Sequence, residues 1–160
     1  MLELAVVVTS DKVYRGEKPD KVRRLLSELE AQGKLQIVYY AVAPNDPGEI
    51  RRRILEATST SKIVLVTGGT GVSPRDVSVD VARQLASREL PGFGEAHRRL
   101  SMEEIGLRAV MSRASAFIVD GSLVAVSPGS SGAVRIALAI LEEIHEHLVE
   151  ELEGRGHRKH

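Results

Sequence analysis

Short apolar runs alternate along the chain with segments in which apolar residues recur every three or four positions. The run Leu2–Thr9 is apolar except for Glu3, a composition typical of a strand buried on both faces of a parallel sheet. Residues 19–32 have helical periodicity and are followed by Gly33, which predicts a helix that stops at the glycine. Residues Leu35–Ala43 predict a second strand. The start of the chain therefore predicts a strand–helix–strand unit.

The middle of the chain continues this alternation less regularly. Pro44–Pro47 ends the second strand, and the residues after it predict a helix with one buried stripe. Lys62–Val66 predicts the third strand. Between Ser78 and Met111 we predict two short helices, separated at Pro91–Gly94 because glycine and proline there prevent regular structure.

The last third of the chain predicts a hairpin followed by a long helix. Asp120–Gly121 lies between the apolar runs Ser115–Val119 and Leu123–Ser127, and an Asp-Gly pair in that setting is a strong hairpin signal. Residues 132–152 have helical periodicity. Strands that alternate with helices predict one α/β domain with three α/β/α layers, a mostly parallel sheet and a C-terminal β-hairpin. We assign residues 1–153 to this domain and expect residues 154–160 to form a basic, disordered tail.

Composition narrows the class of protein. The 22 basic and 22 acidic residues balance, so no overall charge attracts nucleic acid or anionic lipid. Aromatic residues are 3% of the chain and cysteine is absent, which leaves little for base stacking and excludes disulfides and thiolate metal sites. No apolar run approaches the roughly 18 residues that span a bilayer, so we expect a cytoplasmic protein without nucleic-acid or membrane partners. One asparagine, and 16 arginines against 6 lysines, favour a thermophilic source.

Unusual loops follow the predicted strands at the edge where open α/β sheets bind ligands. These loops are Ser10–Asp11, Asn45–Asp46, Thr67–Asp76 and Ser127–Ser131. Glycine lets backbone N–H groups approach an anion, so the two glycine turns predict two phosphate or carboxylate positions. The alternative is that these glycines only close tight turns. The glycine spacing matches neither a P-loop nor the dinucleotide-binding fingerprint.

Two acidic residues of these loops are candidate metal ligands. Asp46 and Asp76 follow adjacent segments of the pattern, and carboxylates there can hold a Mg²⁺ ion that bridges phosphate oxygens. Each also has a structural interpretation. Asp46 can be a turn or helix-cap residue, and Asp76 can be the capping-box acid of a helix that follows Ser73. A helix that begins at Ser78 instead would leave Asp76 available to a ligand.

Other polar residues give weaker indications of a ligand or metal site. Arg113 precedes the hairpin and is a better candidate for a phosphate contact than the triplet Arg51–Arg53, which is most simply a solvated helix face. We expect His97 at the surface. His145 and His147 are two positions apart on a helix and cannot chelate one metal ion.

Five stretches carry a family resemblance when they are taken together. They are TGGTGVSPRD at Thr67–Asp76, RELPGFGE at Arg88–Glu95, LSMEEIG at Leu100–Gly106, Ser112–Arg113 and SPGS at Ser127–Ser130. In this combination and order they closely resemble the molybdopterin adenylyltransferase family of molybdenum cofactor biosynthesis, the MogA/MoaB type, which includes the G domain of gephyrin. The resemblance covers roughly residues 4–148.

The resemblance implies a three-layer α/β/α protein, commonly assembled as trimers or hexamers, that binds molybdopterin and ATP. The implied reaction is Mg²⁺-dependent attack of the terminal phosphate of molybdopterin on the α-phosphate of ATP, with a molybdenum-insertion protein downstream. Asp76 matches the family's aspartate after TGGTG, and Glu95 matches the acid of PGFGE. The second functional aspartate follows a proline after the second strand. Alignment on Pro44 places Asn45 there, whereas alignment on the next helix places Asp46 there, and we choose Asp46.

These considerations give the expected site. Asp46 and Asp76 are the predicted catalytic and metal-binding residues. The predicted ligand-binding residues are Ser10, Asp11, Thr67, Gly68, Gly69, Thr70, Gly71, Glu95, Arg113, Ser127, Pro128, Gly129, Ser130 and Ser131.

The chain departs from the family pattern in one segment, and two further functions remain open. Members often carry Asp-x-Ser-Gly before the first helix, where this chain has Glu17–Lys21, so contacts near Arg15 and Gly16 are uncertain. The chain could hold molybdopterin without adenylating it, which loss of an acidic ligand at positions 45 and 46 would favour. It could also hydrolyse a nucleotide pyrophosphate, although the short chain and the PGFGE block argue against that.

Overall fold

The computed structural model describes residues 1–155. One sheet of six strands forms the centre of this part of the chain. The strands are β1 (Leu2–Thr9), β2 (Leu35–Ala43), β3 (Ile63–Thr67), β4 (Arg88–Leu90), β5 (Ser115–Val119) and β6 (Ser122–Ser127). Their order across the sheet is β2-β1-β3-β6-β5-β4. The first four strands in that order pair in parallel, whereas β5 is antiparallel to both β6 and β4. The predicted mostly parallel sheet is confirmed.

Helices cover both faces of this sheet. Within the described residues they are α1 (Asp11–Tyr14), α2 (Lys21–Ala31), α3 (Pro47–Thr58), α4 (Ser78–Leu85), α5 (Pro91–Ile105) and α6 (Ser131–Leu152), and a 3₁₀ helix spans Gly106–Met111. Buried side chains of α2, α5 and α6 belong to one hydrophobic cluster, and those of α3 and α4 belong to a second. The predicted three-layer α/β/α architecture is therefore confirmed.

The central strand β1 shows why its sequence is apolar at successive positions. Leu4 and Val6 point into the first cluster, and Ala5 and Val7 point into the second. All four side chains are fully buried. Successive side chains of a strand face opposite sides of the sheet, so a strand covered on both faces needs apolar residues at every position.

The predicted hairpin joins β5 to β6. Asp120 and Gly121 both have positive φ angles, 49° and 77°. Two successive positive values are what a two-residue type I′ turn requires, and Asp-Gly adopts them at low cost. This part of the prediction is confirmed.

The predicted break at Pro91–Gly94 is wrong, because these residues form the first turn of the 15-residue helix α5. Proline fits the first position of a helix, where its missing N–H has no intrahelical acceptor in any case. Gly94 is required for packing, since a Cβ there would lie 1.9 Å from the carbonyl oxygen of Ala114. The short edge strand β4 directly before the helix was also not predicted.

His97 was expected at the surface, and this expectation is wrong. Its side chain is fully buried, and its Nε2 donates a hydrogen bond to the carbonyl oxygen of Ala133 in the first turn of α6, at 2.9 Å. Burial lowers the pKa of His97, so the imidazole is neutral at pH 7. Its Nδ1 is buried and has no partner within residues 1–155. Phe93, Gly94 and His97 share the buried face of α5.

Most of the predicted tail lies outside the residues that the structure describes. Residues 156–160 lie outside the described residues, so the tail and the domain boundary at residue 153 remain predictions. Among residues 1–155, no helix is both long enough and apolar enough to cross a bilayer.

Candidate functional site

The ends of β3 and β6 bring the two predicted glycine turns into contact. Thr67 pairs with Ser127 as the last residue of each strand, and the N–H of Gly68 donates to the carbonyl oxygen of Ser127 at 2.8 Å. A Cβ on Gly129 would lie 3.4 Å from the Cα of Gly68. The two turns are therefore neighbours at the carboxyl edge of the parallel strands, where open α/β sheets bind ligands.

Gly68 and Gly69 let the first turn lie directly against β1 and α4. Their φ angles are 100° and 73°, and residues with a side chain rarely adopt such positive values. A Cβ on Gly68 would lie 2.4 Å from the carbonyl oxygen of Thr9, and one on Gly69 would lie 2.3 Å from the Oγ of Ser78. The Thr9 Oγ1 lies 3.0 Å from the same Ser78 Oγ. These two glycines are needed for close packing, whatever they bind.

Two cavities flank the second glycine turn. The first, which we call the glycine-loop cavity, has a volume of about 400 Å³ and includes Gly69–Gly71, Asp76 and Pro128–Ser130 in its lining. The second, which we call the lysine cavity, has a volume of about 410 Å³ and is lined by Val8–Ser10, Val13, Lys18–Val22, Thr67 and Gly129–Ser131. Gly129 and Ser130 border both cavities.

The N-terminus of α6 lies between the two cavities. The hydroxyl of Ser130 caps this helix by accepting a hydrogen bond from the N–H of Ala133 at 3.2 Å. The amides of Ser131 and Gly132 belong to the first turn and so have no intrahelical acceptor. Ser131 lines the lysine cavity, and Gly132 lines the glycine-loop cavity. Each cavity therefore has a helix-terminal backbone in its wall, which favours anionic ligands.

Asp76 lies in the lining of the glycine-loop cavity and outside any helix. Helix α4 begins at Ser78, so the later of the two helix starts considered for this segment is correct. The Oδ2 of Asp76 accepts a hydrogen bond from the N–H of Ser73 at 3.1 Å, and the N–H of Asp76 donates to the Ser73 carbonyl oxygen at 2.9 Å. Its carboxylate thus closes a turn next to the cavity, and its metal role remains a prediction.

Asp46 is the N-cap of α3. Its exposed side chain accepts a hydrogen bond through Oδ2 from the N–H of Glu49 at 3.0 Å, as the structural interpretation predicted. Asp46 lines neither cavity. Its neighbour Asn45 has a buried Oδ1 without a partner within residues 1–155. The choice between Asn45 and Asp46 as a metal ligand remains open to experiment.

Asp11 connects three of the predicted loops. Its carboxylate accepts hydrogen bonds from the backbone N–H of Asn45 at 2.9 Å and from the side-chain amide of the same residue at 3.4 Å. It also forms an ion pair with Arg75. Arg75, followed by the Asn45 amide, holds the pKa of Asp11 below its ordinary value. Asp11 does not line either cavity, and its contacts hold the loops after β1, β2 and β3 together.

Arg113 is engaged by the loop that follows β3. Its guanidinium donates to the carbonyl oxygens of Gly71 and Asp76, at 2.9 and 2.8 Å, and to both carboxylate oxygens of Asp80 at 3.0 and 3.1 Å. The Arg113 hydrogen bonds lower the pKa of Asp80. Arg113 therefore holds the loop against α4, and the predicted phosphate contact remains a prediction.

The remaining predicted residues divide between the cavities and other places. Thr70 and Gly71 line the glycine-loop cavity, and Ser10 lines the lysine cavity. Ser127 is buried and its hydroxyl donates to the Pro128 carbonyl oxygen at 3.2 Å. Glu95 is exposed on α5 and lines neither cavity.

The sequence did not single out several residues that line these cavities. In the glycine-loop cavity they are Ser101, Glu104, Ile105, Arg108, Ala109, Met111, Gly132 and Ala133. Ser101, Glu104 and Ile105 belong to the LSMEEIG stretch, which was noted only as part of the resemblance. In the lysine cavity they include Lys18 and Lys21, which were noted only as a departure from the family pattern. No sequence signal placed either set at a cavity.

The architecture is that of an open α/β protein with two ligand-sized cavities at the carboxyl edge of its parallel strands. Residues 5–148 match the family model described as a probable molybdopterin binding domain. The chain belongs to this molybdenum cofactor biosynthesis family, and the predicted resemblance is confirmed.

Several relatives are similar over most of their length. The chain is 36% identical over 152 residues to molybdenum cofactor biosynthesis protein B of Bacillus subtilis, covering 92% of this chain and 88% of that protein. It is 36% identical over 153 residues to a molybdopterin adenylyltransferase of Pyrococcus furiosus, covering 92% and 89%. The crystal structure of the tungsten cofactor synthesizing protein MoaB of Pyrococcus furiosus superposes with a TM-score of 0.84 at 35% identity, covering 94% of this chain and 96% of that one.

Proposed function

We propose that this protein transfers the adenylyl group of ATP to the terminal phosphate of molybdopterin. The observation that carries the proposal is the pair of cavities that share Gly129 and Ser130 as a common wall. For direct transfer, the phosphates of two ligands bound there would have to meet at this shared turn. A relative from Pyrococcus furiosus bears the name of this activity, and one from Methanocaldococcus jannaschii is named as a probable case of it.

The proposed reaction needs no covalent protein intermediate. An oxygen of the molybdopterin phosphate forms a bond to the α-phosphorus of ATP, the bond from that phosphorus to the α–β bridging oxygen breaks, and pyrophosphate leaves. Negative charge on the phosphates must be stabilised throughout. The amides of Ser131 and Gly132 at the α6 N-terminus, and the backbone of the first glycine turn, are suited to this role. The residues of the chain therefore act by binding and orienting the two phosphates.

The carboxylates present fit a Mg²⁺ ion that arrives with the nucleotide. Within residues 1–155, no group of three or more acidic or histidine side chains is arranged to hold a metal ion by itself. Magnesium is commonly bound by one or two carboxylates together with substrate phosphates. Asp46 and Asp76 each use Oδ2 in a hydrogen bond to a backbone N–H, which leaves Oδ1 for a further ligand. When bound, the ion would neutralise phosphate charge next to these carboxylates.

Incubation with labelled ATP, in the presence and absence of molybdopterin, tests the proposal. We expect pyrophosphate release and an adenylylated pterin only when the protein, Mg²⁺ and both substrates are present. Pyrophosphate release from ATP without molybdopterin would contradict the proposal and indicate a hydrolase.

A second candidate is a protein that holds molybdopterin without adenylating it. The observation in its favour is that Asp46 caps α3 and lies outside both cavities, so one expected metal ligand is absent from both linings. Stoichiometric molybdopterin binding without pyrophosphate release, in the same experiment, would favour this candidate.

We also propose that the protein is a homo-oligomer, a trimer or a hexamer, and that its product passes to a molybdenum-insertion protein. In support of the assembly, exposed apolar side chains are concentrated between residues 100 and 111. They are Leu100, Met102, Ile105, Leu107, Val110 and Met111. An exposed group of this kind is typical of a protein interface.

A further inference from the structure

The lining of the lysine cavity contains two cations that form no ion pair within the described part of the chain. Lys18 and Lys21 are exposed residues of its lining, and neither forms an ion pair within residues 1–155. Glu17, the acid next to Lys18 in the sequence, is held in an ion pair with Arg15 at 3.0 Å. The two ammonium groups are therefore available to a ligand.

The one acid in the lining is turned to other partners. The Oδ1 of Asp20 accepts a hydrogen bond from the N–H of Arg23 at 3.0 Å, as the N-cap of α2. Its Oδ2 accepts a hydrogen bond from the Tyr40 hydroxyl at 2.5 Å. With two lysines and one aspartate, the charged side chains of the lining carry a net positive charge.

Thr67 supplies an independent sign of a missing ligand. It is fully buried at the end of β3, lines the lysine cavity, and its Oγ1 has no hydrogen-bond partner within residues 1–155. Buried hydroxyl groups are almost always hydrogen-bonded, because an unpaired one loses its contacts with water without replacement. Thr67 therefore supplies a buried, unpaired hydroxyl donor next to the cavity.

The N-terminus of α6 completes the wall. This helix has 22 residues, and Ser131 belongs to the lining of the lysine cavity. Ser131 lies in the first turn, where backbone amides have no intrahelical acceptor. Cations, a hydroxyl donor and a helix N-terminus together select an anion with several oxygen atoms.

From these observations we infer that the lysine cavity is a phosphate site, in which Lys18, Lys21, Thr67 and the first turn of α6 hold a phosphate monoester or anhydride. Its volume of about 410 Å³ leaves room for the rest of a larger molecule. The inference rests on the proposed function in one respect, because that function supplies two sources of phosphate, the β- and γ-phosphates of ATP and the terminal phosphate of molybdopterin. The lysines belong to the segment in which the chain departs from the family pattern.

Calorimetric titration of the intact protein with pyrophosphate, and separately with inorganic phosphate, tests the site without any turnover. The double variant Lys18→Gln/Lys21→Gln should bind pyrophosphate about tenfold or more weakly, the size of effect expected when hydrogen bonds from charged donors are lost. Thr67→Val keeps the shape of the side chain and removes only the hydroxyl, so it should weaken binding while the thermal midpoint stays unchanged or rises.

Lys12→Gln is the matched control. Lys12 lies on α1, close in sequence and of the same charge, but it is not in the lining of the lysine cavity. The control should bind pyrophosphate like the wild type. Equal weakening by Lys12→Gln and by the double variant would show only a general effect of net charge, and unchanged binding by the double variant would show that the lysines hold no phosphate. Either result overturns the inference.

Steady-state kinetics identify the source of the phosphate. A raised KM for ATP alone in the double variant assigns the site to the nucleotide phosphates, and a raised KM for molybdopterin alone assigns it to the pterin phosphate. Both outcomes support the site. The two proposals can also fail separately. If the wild type has no transferase activity but the double variant still binds pyrophosphate more weakly than the wild type, the proposed activity is refuted and the phosphate site is retained.

Discussion

Replacement of Asp76 by asparagine distinguishes a ligand role for this carboxylate from a purely structural one. Its Oδ2 accepts the N–H of Ser73 in a turn outside α4, and the side chain lines the glycine-loop cavity. Asparagine retains a side-chain oxygen for the Ser73 contact but loses the charge. We expect Asp76→Asn to lower the free energy of unfolding by about 0.5–1 kcal/mol, since a hydrogen bond to an ionised acceptor becomes a neutral one. For a chain of this length that corresponds to a fall of about 1–4 °C in the thermal midpoint.

The effect on adenylyl transfer should be far larger. If Asp76 binds a Mg²⁺ ion at the reacting phosphate, loss of its charge should slow turnover by about a hundredfold or more, equivalent to ~3 kcal/mol of transition-state stabilisation. A turn-closing role alone predicts turnover close to that of the wild type. The assay is the rate of pyrophosphate release at saturating ATP, molybdopterin and Mg²⁺, together with a thermal melt of each variant.

Asp80→Asn is the matched control for this experiment. Asp80 is also an aspartate, is four residues further along the chain, and pairs with Arg113 at 3.0 Å while about half of its side chain is exposed. Loss of such an exposed pair should cost about 0.2–1 kcal/mol, similar to the cost of the Asp76 variant. Near-normal turnover by Asp76→Asn, or an equal loss of turnover in both variants, would refute the ligand role of Asp76.

Three further predictions concern the loops and the assembly. Gly69→Ala should lower the free energy of unfolding by about 2 kcal/mol or more, because a Cβ would lie 2.3 Å from the Ser78 Oγ; Gly33→Ala, with a similar φ but no atom within 4 Å of its Cβ, should cost less in a urea titration. Because the pKa of Asp11 is depressed in the folded protein, the contribution of this carboxylate to stability is complete above its unfolded-state pKa near 4 and is lost as the pH falls through its folded-state pKa. The thermal midpoints of Asp11→Asn and the wild type should therefore converge in acid. Leu107, 78% exposed, should lie in the subunit interface, and Leu107→Glu should shift sedimentation towards the 17.4 kDa monomer; an unchanged oligomer would exclude that location.

The sequence correctly predicted a buried strand, the hairpin turn and the edge of the sheet at which the ligand loops lie. The buried strand β1 needs apolar residues at successive positions because both of its faces are covered. The hairpin turn needs residues that tolerate positive φ, and Asp120–Gly121 provides them. The positions of the ligand loops followed from a general property of open α/β sheets, since all of them come after strands that end at the same edge.

The incorrect predictions depend on contacts between residues distant in sequence. Proline and glycine at Pro91–Gly94 resemble a break until the carbonyl oxygen of Ala114 is known to lie where a Cβ of Gly94 would be. His97 is polar, and only its contact with the Ala133 carbonyl oxygen shows that it belongs to the interior. The lining of the lysine cavity was also not predicted, because Lys18 and Thr67 are distant in sequence and come to line one cavity only in the folded chain.

The pairing of β3 with β6 explains how one backbone turn can serve two ligands. The register ends both strands at the same level, with Thr67 opposite Ser127, so both glycine turns start side by side. A Cβ at position 129 would lie 3.4 Å from the Cα of Gly68, so the two turns are in close contact. Residues of the first turn of α6 then line a cavity on each side, at the positive end of a 22-residue helix. Direct transfer requires the attacking phosphate oxygen to contact the α-phosphorus, so the phosphates of the two ligands would have to meet at this shared helix end.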